Sequence, residues 1–135
     1  MKGNLFLRAY MAGVLLPTWI LLLVLGAVVI AHLTGHSLPR LQSAIVFPMA
    51  VVPNVWGLWN LLYASMHLSE RVSIGVFGAL LPLALVPAGV GLAASLGLDF
   101  YSVRHAVVVL PVLMVVYYLA WKYAVAYFNR VVGVA

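Results

Sequence analysis

The chain has 135 residues, 67% hydrophobic and 7% charged, with seven Lys and Arg against two Asp and Glu. A soluble domain is near half apolar and a quarter charged, so this composition excludes a water-solvated surface. There is no Cys, which excludes disulfides, thiolate metal sites, c-type haem attachment and S-acylation.

No charged residue falls between Arg8 and Arg40, Arg40 and Glu70, Arg71 and Asp99, or Arg104 and Lys122. A helix needs roughly 20 apolar residues to cross a bilayer. The four windows predict spans over residues 10–33, 41–66, 72–96 and 105–127. Their apolar runs are continuous rather than alternating, which argues for helices over barrel strands. The expected fold is an all-α integral membrane protein, a four-helix transmembrane bundle, with residues 1–135 as a single four-span domain.

The first span follows Lys2 and Arg8 as a signal peptide would. Its uncharged run outlasts an ordinary signal core of roughly 7–15 residues, so it is expected to be retained. It carries Gly13-Val14-Leu15-Leu16-Pro17 and then Gly26. At its far end His32 and His36 have the i,i+4 spacing that can hold a metal on a helix, although Gly35 and Pro39 argue against a continuous helix there.

The second span, opened by Arg40, contains Pro48 and Pro53 and is expected to bend. It also holds the most informative polar cluster. Asn54 falls near the midplane, and Asn60 lies about 9 Å nearer the cytoplasm at 1.5 Å per residue. Asn60 shares a helical face with Trp56, Tyr63 and His67. Two readings compete. Asn54, Trp56, Asn60, Tyr63 and His67 line a cavity for a solute, a quinone-like head group or a lipid, or else the amides tie helices together and the aromatics form the interfacial belt.

The third span repeats the opening of the first as Gly78-Ala79-Leu80-Leu81-Pro82, with Pro87 following at the Pro48–Pro53 spacing. Gly89, Ala93 and Gly97 make a small-residue row suited to close helix contact, either within the bundle or with a partner. The fourth span follows Arg104 and His105, carries Pro111, and ends among Tyr118, Trp121, Lys122, Tyr123 and Tyr127. Lys122 can snorkel to the interface there. His32 and His105 together offer a haem alternative through paired axial ligands.

Gly13 and Gly78, Gly26 and Gly91, Arg40 and Arg104, and Pro48 and Pro111 correspond along the chain. They suggest two tandem helical hairpins, residues 8–66 and 73–128, related as a parallel repeat. Lys2, Arg8, Arg71, Lys122 and Arg130 fall on one side of the membrane, against Arg40 and Arg104 on the other. Both termini are thus expected in the cytoplasm of a cell (inner) membrane. The net charge of +5 is explained by this topology without nucleic acid as a partner.

No span contains Asp or Glu, no mid-membrane Ser has a His beside it, and no phosphate-binding loop occurs. The expected function is a non-enzymatic membrane protein, without a cofactor, acting through self-association or with another membrane protein in the lipid bilayer. The alternatives are a transporter or channel for a small solute or lipid-like ligand, with its site on the second span, and a b-type haem-binding subunit.

Overall fold

The computed structural model describes residues 2–66, 71–97 and 103–134, and it is helical, with no strand among the described residues. Three helical stretches are long and apolar enough to cross a membrane: Asn4–Leu33, Ile74–Ser95 and Arg104–Val131. The chain forms two compact units, one from Met1–Leu62 with Phe128–Ala135, the other from Tyr63–Tyr127.

In the first unit, α1 (Lys2–Leu33) runs through Pro17 without ending. It stops where Gly35 turns to φ 78°. The His36 N–H then bonds the Ala31 carbonyl at 2.8 Å and the Gly35 N–H bonds the His32 carbonyl at 3.1 Å. This paired closure needs a left-handed residue, which glycine supplies at least expense. His32 therefore lies inside the helix and His36 beyond it, so the helix does not continue through both, as Gly35 and Pro39 suggest.

The second expected span, residues 41–66, is not one continuous helix. It consists of a short α2 (Pro39–Ala44), a π-helical turn (Ile45–Met49), a break at Ala50 and Val51, and α3 (Val52–Ser65). Proline explains both ends of the break. Pro48 brings no N–H to the ladder, and Pro53 is tolerated because it sits in the first turn of α3, where N–H groups have no partner in the helix. The 14 residues of α3 span about 21 Å, short of the roughly 30 Å hydrocarbon core.

In the second unit, α4 (Ile74–Ser95) starts at Ser73, whose Oγ accepts the Val76 N–H at 3.3 Å. It continues through Pro82 and Pro87. It ends before Gly97, which adopts φ 68°. Gly97 thus terminates the helix and does not extend the small-residue row through Gly89 and Ala93. The following helix comprises α5 (Val103–Ala120), a π-helical turn (Trp121–Val125) and α6 (Ala126–Val131), whose last turn belongs to the first unit.

The outward faces are apolar: Leu23 is 70% exposed on α1 and Val108 70% on α5. Hydrocarbon solvates such side chains as well as a protein core does, so they oppose folding only in water.

Candidate functional site

In the first unit, α1 and α3 meet at two glycines. A Cβ on Gly13 would lie 2.6 Å from the Trp56 carbonyl oxygen and 2.9 Å from the Gly57 Cα. A Cβ on Gly57 would lie 2.6 Å from the Tyr10 ring and 2.7 Å from Val14. Each glycine admits the other helix, and Ala9 and Ala12 beside them are wholly buried. Lipid gives no hydrophobic drive for helix association, so contact this close is a principal source of cohesion.

Close approach brings Asn60 to the α1 backbone. Asn60 is 0% exposed and Asn129 2%. The Asn60 Nδ2 donates to the Ala9 carbonyl at 2.7 Å and to the Asn129 Oδ1 at 2.7 Å, and the Asn129 Nδ2 returns a bond to the Asn60 Oδ1 at 3.0 Å. Both Asn60 amide hydrogens and its carbonyl are thereby engaged within the protein. The arrangement ties α1, α3 and the end of α6, and it shields polar groups that would each cost several kcal/mol if left bare in hydrocarbon.

Asn129 belongs to no predicted span, yet the sequence carries a signal for it. The chain has four asparagines, at positions 4, 54, 60 and 129. A buried amide at Asn60 needs a polar partner, and Asn129 lies just beyond the end of the last charge-poor window.

Asn54 differs from Asn60 in every respect. It is exposed. Its Oδ1 accepts the Tyr10 hydroxyl at 2.5 Å, and its Nδ2 makes no hydrogen bond among the described residues. It stands in the first turn of α3, beside the break at Ala50 and Val51, both of which are exposed as well. Trp56 is buried at the glycine crossing. The Asn54, Trp56 and Asn60 side chains are thus distributed over an outer and an inner face and do not converge on one point.

Tyr63 belongs to the second unit. Its hydroxyl donates to the Val72 carbonyl at 2.9 Å, and its ring lies 5.2 Å from that of Phe77. Phe77 in turn meets the Trp121 ring edge-on at 6.5 Å. Trp121 is 0% exposed and packs on Gly78, where any Cβ would overlap its Cβ and Cγ. Lys122 is exposed, with its ammonium 5.4 Å from the Tyr118 ring centre and 5.5 Å from that of Tyr123, within reach of cation–π attraction. Gly75 gives the Lys122 stem room, with Cβ positions 3.1 Å apart were Gly75 to carry one.

Of the other expected site residues, His67 lies outside the described residues. Ala93 is buried, whereas a Cβ on Gly89 would meet nothing within 4 Å. His36 pairs with the Thr34 hydroxyl at 3.4 Å in the turn after α1. His32 and His105 are both exposed and belong to different units. Among the described residues no three His, Asp or Glu side chains gather as a metal site would require.

Comparison of the chain with protein-family models, with curated proteins and with solved structures returns no match in any of the three.

Proposed function

We propose that this chain is a small integral membrane protein that works within an oligomeric assembly, with itself or with another membrane protein, and performs no chemistry alone. In this reading the broken α2–α3 segment completes a fourth crossing. Both termini then face the cytoplasm of a cell membrane, and the two halves descend from one duplicated hairpin.

One observation carries the proposal: a helix break and a half-bonded amide stand exposed together at Ala50, Val51 and Asn54. Asn54 is about 16 Å along the axis from Ser65 at 1.5 Å per residue. With Ser65 at the membrane boundary, this reading sets Asn54 near the middle of a hydrocarbon core roughly 30 Å thick. Irregular backbone survives at such depth only when protein covers it or water reaches it. Cover by a partner gives the assembly.

Access by water supports a second reading, a pathway for a small solute or lipid-like ligand beside the broken helix, as in transporters built on discontinuous helices. A spin label on Val51→Cys in bilayers separates the two, since the chain has no other Cys. The assembly reading expects low accessibility to both oxygen and a water-soluble nickel reagent. High nickel accessibility would favour the solute path, and high oxygen accessibility alone would place the break in lipid and defeat both.

A further inference from the structure

We infer that an anionic phospholipid binds at Lys122, with its phosphate on the ammonium and its acyl chains along α5. The inference requires only that the helix from Arg104 to Val131 crosses the membrane, and it stands apart from the assembly reading.

Depth comes first. Arg104 and Lys122 bracket a run without a charged residue. Their separation along the axis is about 27 Å at 1.5 Å per residue, close to the roughly 30 Å hydrocarbon core. Each cation therefore stands at an edge of the core, where lipid phosphates lie. Toward the middle of the helix from Lys122, Leu119, Val115 and Val112 recur at helical spacing and are 47%, 60% and 62% exposed. From Val112 to Lys122 is about 15 Å, half the hydrocarbon core and so the depth of one leaflet. An outward apolar strip of that length with a cation at its end has the plan of a phospholipid.

Lys122 also differs from a loose surface lysine. A Cβ on Gly75 would lie 3.1 Å from the Lys122 Cβ and 3.0 Å from the Tyr118 ring, so α4 packs against the root of the side chain. Its ammonium is 5.4 Å from the Tyr118 ring centre and 5.5 Å from that of Tyr123. These neighbours restrict the side chain before a ligand arrives, which reduces the entropy lost on binding. They leave its charge in place, and no described residue carries a side-chain carboxylate. Arg71, exposed just ahead of Gly75, adds a second cation at this end of the unit. Charge complementarity therefore selects a headgroup of net negative charge over a zwitterionic one.

The test uses the full chain in nanodiscs of equal phosphatidylglycerol and phosphatidylcholine, with native mass spectrometry counting the lipids retained per chain. Phosphatidylglycerol should be retained in preference. Lys122→Gln should reduce that preference roughly fivefold, the scale of one basic residue at an anionic membrane surface. Lys122→Arg keeps the charge and should keep the preference. Arg104→Gln, at the opposite edge of the core, should leave it unchanged. Glycerol phosphate, a headgroup without chains, should not displace the lipid.

No preference in the parent chain, or an unchanged preference in Lys122→Gln, would overturn the inference. So would equal losses in Lys122→Gln and Arg104→Gln, which would mark a general effect of charge. A loss in Lys122→Arg matching that in Lys122→Gln would mark a structural effect and overturn it as well. Displacement by glycerol phosphate would show a site for free anions and overturn the lipid as its ligand. A solitary chain that keeps the preference would support this inference and defeat the assembly reading.

Discussion

At Gly13 the neighbouring helix arrives backbone first, with Gly57 facing it and the Asn60 amide reaching the Ala9 carbonyl. At Gly78 a tryptophan arrives instead, laying the root of the Trp121 side chain on the bare glycine with Phe77 at its edge. Both glycines open the same Gly-X-Leu-Leu-Pro segment, and in both the proline one turn later, Pro17 or Pro82, is buried. Position i−4 to each proline is the glycine, so its carbonyl is the one that loses a helical partner. The repeated segment therefore marks a helix crossing in each unit. The partner differs: a hydrogen-bonded amide in one, an aromatic plate in the other.

This contrast predicts different sensitivities. The largest effect is expected from Trp121→Ala. Lipid replaces the transfer part of the loss, but the contacts around the vacated space are not recovered. The variant should lose about 3 kcal/mol, the low end for Trp truncation, measured by unfolding in mixed micelles. Gly13→Val comes next, at about 2–3 kcal/mol, because its new Cβ meets the backbone of α3, which cannot rotate away. Gly26→Val, with nothing within 4 Å of its Cβ, is the matched control and should be nearly silent.

Asn60→Leu should cost about 1–3 kcal/mol by stranding the Asn129 amide. Combining it with Asn129→Leu should recover part of that loss, since no donor is then left bare. A pair of substitutions whose effects simply add would show that the two amides are not coupled. The smallest effect belongs to Tyr63→Phe, about 0.5–1.5 kcal/mol for one hydroxyl bond to the Val72 carbonyl. If Asn60→Leu proved harmless while Trp121→Ala unfolded the protein, the polar crossing would lose the role assigned to it here.

Prolines show where the sequence was legible and where it was not. The charge-free windows located α1, α4 and the helix from Arg104 to Val131, because burying charge in hydrocarbon dominates every local preference there. Pro48–Pro53 and Pro82–Pro87 share one spacing, yet only the first pair accompanies a break. Packing accounts for the difference. Upstream of its second proline, α4 has a capped start and buries Gly75, Phe77, Gly78, Leu81 and Pro82. By contrast, α2 is six residues long, has no side-chain cap bond and buries nothing. A helix anchored along a neighbour absorbs a lost hydrogen bond, and a short unanchored one yields.

The polar cluster was legible in kind and not in arrangement. Asn60 and Asn54 stand out in the sequence as amides within a charge-free window. That one would be fully bonded inside and the other half-bonded outside depends on which face of α3 meets Gly13, and on Asn129 arriving from the far end of the chain. Gly97 misled for a similar reason: its place in a small-residue row is overridden by the turn that needs it at positive φ.

The central claim is that the exposed break and Asn54 are covered by another protein chain. Native mass spectrometry of the protein released directly from its membrane tests this most directly. The expected mass exceeds that of the 14.6 kDa chain, through further copies or a different membrane protein held with it, and falls toward one chain in Asn54→Leu. A single unaccompanied chain, unchanged by that substitution, would contradict it.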